Sequence, residues 1–186
     1  DNKKILTTRY KTTGEINGTN RMATLLNGRG QLGEKLKKRL SELPGDAHIY
    51  HTWQVKDKSK AEQIKQYCLF KSYVDENSDK KIVFISTKSQ KDTWYTYYKQ
   101  LSEAYLLTKC EKGIVIRLPT FIGKPSKLFD SRKDIDVYGE VELISLEDVV
   151  AEIINICKRD MKIKIVDVNG EKVSAKTVRQ IVEAAE

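Results

Sequence analysis

The stretch Lys81–Gly123, KIVFISTKSQKDTWYTYYKQLSEAYLLTKCEKGIVIRLPTFIG, decides the fold. It opens on an apolar run, Ile82-Val83-Phe84-Ile85, that ends in two hydroxyl residues, Ser86-Thr87. Unbroken apolar character over four residues predicts a strand buried on both faces. A short polar loop follows. Residues 93–110 then repeat apolar positions at helical spacing, and residues 113–118 form a second β-branched run. The order is strand, loop, helix, strand, with a hydroxyl at the first strand's end and Tyr95-x-x-x-Lys99 one helical turn long.

The same alternation extends both ways. Upstream, Met22–Leu26 is a short apolar run followed by Asn27-Gly28-Arg29-Gly30-Gln31-Leu32-Gly33. A helix is predicted over 34–43, with Leu36, Leu40 and Leu43 on one face, stopped by Pro44-Gly45. Residues 47–53 (AHIYHTW) read as a strand. Residues 58–75 read as a helix with apolar Ile64, Tyr67, Cys68 and Tyr73. Downstream, residues 124–139 are polar and irregular, and 140–144 are a short strand. Ser145 caps a helix reaching residue 158, with Asp148 three residues on. Residues 162–168 alternate as an edge strand does, Asn169-Gly170 turns the chain, and Ser174 caps a last helix. Strands alternating with helices predict an α/β fold, a parallel sheet with helices on both faces. Residues 1–21 are polar and predict an N-terminal arm or edge strand; residues 22–186 form a single domain.

The composition narrows the function. The chain has 186 residues and a formal net charge of +8, yet its lysines are scattered rather than gathered in a stripe with arginines and stacking aromatics. Nucleic-acid binding therefore ranks last, and the charge is read as a solvated surface that also attracts anionic ligands. No apolar run is long enough to cross a bilayer, and the polar start is no signal peptide, so a cytoplasmic location is expected. Cys68, Cys110 and Cys157 lack metal-ligand spacing and are expected to be buried free thiols. His48 and His51 stand without an acidic or cysteine cluster, so no metal site is expected and both are read as structural. Trp53 and Trp94 are read as packing residues.

Two features carry chemistry. Gly28-x-Gly30-x-x-Gly33 follows a strand and opens a helix, where glycines permit a tight turn and close approach of a phosphate to the helix N-terminus. The Tyr/Lys spacing alone is weak. Nine tyrosines and 26 lysines in 186 residues give about one such match by chance, and Tyr67/Lys71 and Tyr105/Lys109 are two others. Tyr95/Lys99 differs by its place after a strand ending in Ser86-Thr87. A lysine cation one turn away is expected to lower the tyrosine's pKa, and Thr87 to hold a reacting oxygen.

The order of these motifs resembles the extended short-chain dehydrogenase/reductase family, the NAD(P)-dependent nucleotide-sugar epimerases, dehydratases and reductases. NGRGQLG resembles its glycine turn, VFIST its strand with the catalytic hydroxyl, and Tyr95-TYY-Lys99 its catalytic helix. IRLPTFIG resembles the next strand and its substrate-side turn. The resemblance covers residues 22–186. It implies a Rossmann-like sheet and NAD or NADP bound by Asn27, Gly28, Arg29, Gly30, Gln31, Leu32, Gly33 and Lys99. It implies Thr87, Tyr95 and Lys99 as catalytic residues, with Thr87, Thr120 and Phe121 against a nucleotide-sugar substrate. The substrate region, about 120–186, is reduced, and a homodimer through helices 58–75 and 93–110 is implied.

The chain also departs from that family. Asn27 stands where the first glycine is usual, Gln63 stands near the place of a catalytic asparagine, and the loop from Thr87 to Tyr95 is short. Only one strand and one helix separate the glycine helix from VFIST. If AHIYHTW is a later strand of the family, the ribose-reading strand is missing. If it is that strand, no acid follows it directly, and Lys56 and Lys58 would favour a 2′-phosphate. Two readings follow: an NAD(P)-dependent enzyme transferring a hydride on a nucleotide-linked sugar, or a catalytically inactive relative acting as a binding or regulatory partner.

Overall fold

A computed structural model describes residues 12–13, 16–17, 20–21, 23–26, 30–51, 53, 55–123, 139–159 and 162–184. Its strands are β1 (Thr12–Thr13), β2 (Ile16–Asn17), β3 (Asn20–Arg21), β4 (Thr24–Leu26), β5 (Ala47–Tyr50), β6 (Lys81–Thr87), β7 (Ile114–Leu118), β8 (Thr120–Ile122), β9 (Glu140–Ser145), β10 (Ile165–Asp167) and β11 (Glu171–Ser174). The helices are α1 (Gly30–Lys38), α2 (Lys60–Glu76), α3 (Trp94–Lys109), α4 (Leu146–Lys158) and α5 (Ala175–Ala184).

The main sheet runs β1-β4-β5-β6-β7-β10. Every neighbouring pair from β4 to β10 is parallel, and only β1 joins antiparallel. The α/β Rossmann-like expectation is met. The strand side chains alternate between two cores, as the two-residue period of a strand requires. On β6, Val83 and Ile85 join Leu32 and Leu36 of α1 and Val149, Val150, Ile153 and Ile154 of α4. Ile82 and Phe84 join Phe70, Tyr73 and Val74 of α2 and Leu106 of α3. The second core is aromatic: the Phe84 ring stacks on Phe70 at 4.4 Å, and Tyr50 meets Phe70 edge-on at 4.8 Å. Each such side chain contributes about 1.5–3 kcal/mol of burial, so β6 is held from both faces.

Helix starts are set by capping hydroxyls. Ser59 Oγ accepts from Glu62 N, Thr93 Oγ1 from Thr96 N, and Ser145 Oγ from Asp148 N. Ser174 Oγ likewise accepts from Thr177 N at 3.1 Å at the head of α5. A three-stranded sheet, β11-β9-β8, stands apart from the main one; β8 pairs parallel and β11 antiparallel with β9.

Several sequence expectations shift. The helix expected over 34–43 starts at Gly30 and ends at Lys38, and a 3-10 turn, Leu40–Glu42, carries the chain to Pro44. The run GIVIRLPTFIG is two strands, β7 and β8, in different sheets, because Pro119 between them carries no N–H for a ladder. On α2 the inward residues include Gln63 and Gln66, while Ile64 is 37% exposed. Cys110 and Cys157 are buried, and burial pushes the Cys157 thiol up to about 12, but Cys68 is exposed. The polar segment 124–138 lies outside the described residues. No described helix is long and apolar enough to cross a membrane.

Candidate functional site

Parallel strands deliver their C-terminal ends to one edge of the sheet, and ligands of such folds bind there. In this protein that edge holds a cavity of about 450 Å³. Its floor and walls come from α1 (Gly30 to Gly33), the end of β6 (Ile85, Ser86, Thr87), α3 (Tyr95, Lys99) and the β7–β8 turn (Leu118 to Phe121). The predicted residues Thr87, Tyr95, Lys99, Gly30, Gln31, Leu32, Gly33, Thr120 and Phe121 are thus brought to one cavity. Asn27, Gly28 and Arg29 lie outside the described residues. Gly30 has φ of +83°, a conformation costly for any residue with a Cβ.

Lys99 is the most enclosed polar group of the site, 3% exposed. Its ammonium donates to the backbone oxygen of Ile85 at 3.0 Å. Ring centroids of Trp53, Phe84 and Tyr95 lie 4.7, 4.8 and 5.8 Å from Nζ, an aromatic box that replaces water by π-faces. Desolvation pulls the Lys99 pKa down to about 7, against an opposing pull from Glu103 one turn on. That carboxylate is itself engaged: Arg117 Nε donates to its two oxygens at 2.7 and 3.3 Å.

The tyrosine differs from the sequence expectation. The residue is 38% exposed, yet desolvation at its hydroxyl pushes the Tyr95 pKa up to about 12. The expected lowering by Lys99 is absent because both groups are desolvated in the same enclosure, which disfavours phenolate and ammonium alike. Thr87 Oγ1 accepts from Ser89 N at 3.0 Å, which fixes the start of the short loop. Ser86 Oγ is buried in the cavity wall, 5% exposed, with no hydrogen-bond partner among the described residues.

Six wall residues lie outside the site expected from the sequence: Ile85, Leu118 and Pro119, and, with polar side chains, Ser86, His51 and Trp53. Trp53 was read as packing, but its indole forms cavity wall and its Nε1 donates to Gln63 Oε1 at 2.7 Å. The available signal was position, since His51 and Trp53 directly follow a strand that ends at the ligand edge. Gln63, 1% exposed, holds Trp53 instead of facing the cavity itself. Trp94 is 46% exposed and carries Lys60 Nζ 4.5 Å from its ring centroid, so it does not wall the cavity. His48 bonds Tyr73 OH at 2.6 Å, and burial lowers its pKa. Among the described residues no cluster of three or more His, Cys, Asp or Glu could hold a metal ion.

Solved structures share this fold. The Bordetella bronchiseptica enzyme WbmG in complex with NAD superposes with a TM-score of 0.64 at 15% identity, over 92% of this chain and 80% of that one. The dTDP-4-dehydrorhamnose reductase of Bacillus anthracis in complex with NADP gives a TM-score of 0.67 at 13% identity, over 91% and 82%. UDP-N-acetylglucosamine 4-epimerase from Bacillus cereus gives 0.57 at 16%, over 75% of this chain and only 63% of the epimerase. No family profile matches the chain, and no curated protein matches it.

Proposed function

We propose that the protein is an NAD(P)-dependent epimerase, dehydratase or keto-reductase acting on a nucleotide-linked sugar. The observation that carries this reading is the convergence of Gly30, Thr87, Tyr95 and Lys99 on one cavity at the C-terminal strand ends. The similar structures with NAD or NADP support the choice of cofactor.

The nicotinamide side of such a cofactor fits the residues present. Ser86 Oγ is a buried, unpartnered hydroxyl in the cavity wall, and the N-terminus of α1 opens on the same space. When bound, the nicotinamide supplies hydride transfer. Tyr95, held as the neutral phenol by its raised pKa, keeps a proton to give to an alkoxide oxygen as a carbonyl is reduced. Thr87 orients that oxygen from the strand end. Lys99 would hold the nicotinamide ribose, and the aromatic box excludes water around its ammonium. Thr120 and Phe121 line the substrate side.

The second reading is an inactive relative that binds without turnover. It is favoured by the Lys99 ammonium already donating to Ile85 O. Either protein is proposed as one cytoplasmic domain over residues 22–186. It dimerises through α2 and α3, whose outer surface carries Ile64, Trp94 and Tyr97, each more than a third exposed. Tyr95→Phe separates the two readings. An enzyme loses turnover of its sugar nucleotide with NADH or NADPH binding unchanged, whereas full retained turnover rules out the acid role. Absence of turnover in the wild type with intact cofactor binding selects the second reading.

A further inference from the structure

We infer that this cavity, on the cofactor reading above, grips only the nicotinamide-and-phosphate half of a dinucleotide and leaves the adenosine ribose unread. The protein then does not discriminate NADH from NADPH. In the dinucleotide-binding sheet, order 3-2-1-4-5-6, the strand after the glycine helix lies on the outer side of the first strand and ends in the acid that reads the ribose. Here the strand after α1 is β5, and it lies on the inner side, paired with β4 on one edge and β6 on the other. Its end runs into His51 and Trp53, which wall the cavity where Lys99 sits. The strand cannot serve both places. The reading in which AHIYHTW carries Lys56 and Lys58 to a 2′-phosphate is excluded by the same topology.

The outer side of β4 is held instead by β1, antiparallel, with Thr12 opposite Leu26 at the ligand edge. Its two described residues, Thr12 and Thr13, offer hydroxyls and no charge. The first acids after β5 are also spent locally. Asp57 Oδ1 accepts from Ser59 N at 2.8 Å and Glu62 Oε2 from Lys56 N at 3.2 Å, both at the exposed start of α2. A carboxylate on the ribose hydroxyls is the device that favours NAD and repels a 2′-phosphate. Among the described residues the sheet presents none in that place.

The test is calorimetric titration of the wild-type chain with NADH, NADPH and reduced nicotinamide mononucleotide at 0.15 M salt, where long-range attraction of the extra phosphate is screened. A charged hydrogen bond is worth on the order of tenfold or more in affinity. The expected result is therefore that all three bind within about tenfold of one another. A wider preference for either dinucleotide, or loss of the mononucleotide where NADH binds, overturns the inference and leaves the cofactor reading standing. Failure of all three to bind overturns both.

Discussion

The indole of Trp53 and the ammonium of Lys99 face each other across the cavity wall, ring centroid to Nζ 4.7 Å, and Trp53 is held there by Gln63. Gln63 sits on α2, Lys99 on α3 and Trp53 between β5 and α2. The β5–α2 connection thus meets α3 at one charged atom, and α2 braces that connection through Gln63. The contact makes the site depend on a residue that no catalytic motif contains.

Gln63→Leu tests that dependence. It removes the acceptor for the Trp53 N–H and leaves a part-buried donor unpaired, at a cost of about 1–3 kcal/mol. The expected result is a melting temperature lower by several degrees and a red-shifted Trp53 emission as the indole is released to solvent. Unchanged emission and melting would show that Gln63 does not hold the ring.

The shifted pKa of Lys99 makes stability depend on pH. The folded value is about 7, below the ordinary value of 10.5, so between the two the unfolded chain binds a proton that the folded chain does not. Stability then rises with pH through this window, by at most about 1.4 kcal/mol per pH unit. Cys157 and Tyr95, both raised to about 12, act in the opposite sense above their ordinary values of 9 and 10, which leaves pH 7 to 9 to Lys99. Wild type is expected to gain melting temperature relative to Lys99→Met between pH 7 and 9. A constant difference across that range would contradict the desolvated lysine.

The small sheet is stapled to the ligand edge by Lys88, directly after Thr87. Its Nζ donates to Glu142 Oε1 at 2.7 Å, Asn169 Oδ1 at 3.0 Å and Val168 O at 3.2 Å, while Glu142 Oε1 also accepts from Gly170 N. These bonds hold the Glu142 carboxyl below its usual pKa, so their contribution is present above the unfolded pKa and lost as pH falls through the folded one. Lys88→Met leaves Glu142 without its cation and is expected to cost about 1–3 kcal/mol, read by denaturant unfolding. A change within a few tenths would mean the pair is solvated in solution.

Gly170 is constrained by contact. A Cβ there would stand 2.2 Å from the backbone oxygen of Leu143, an atom that cannot swing aside. Gly170→Ala is expected to push β11 off β9 and destabilise the chain by about 1–3 kcal/mol. Faster amide hydrogen exchange in β9 and β11 than in β6 would localise the effect; uniform exchange would contradict it.

The main sheet was legible because its strands are short apolar runs between helices with visible caps, as at Ser145 and Ser174. That the predicted residues within the described part would lie at one edge of the sheet was also legible, since the glycine turn and VFIST both sit at strand ends. The lining by Trp53 and Ser86 was less so. An aromatic residue after a strand reads as packing until the sheet order is known, and the alternation that turns Ser86 inward depends on both faces being covered. The direction of the Tyr95 shift was illegible because spacing reports proximity to a charge but not the desolvation that opposes it.

Cofactor binding at this cavity can be read with Trp53 as its own reporter. The chain has two tryptophans, and Trp94→Phe leaves Trp53 alone in the cavity wall. Titration of that variant with NADH, whose absorption overlaps indole emission, reads cofactor arrival at the site. Saturable quenching of Trp53 emission is expected, with transferred emission from the nicotinamide, and it is abolished in Gly30→Val while the far-ultraviolet circular dichroism is unchanged. Trp53 emission that stays constant to millimolar NADH in the folded protein would contradict it.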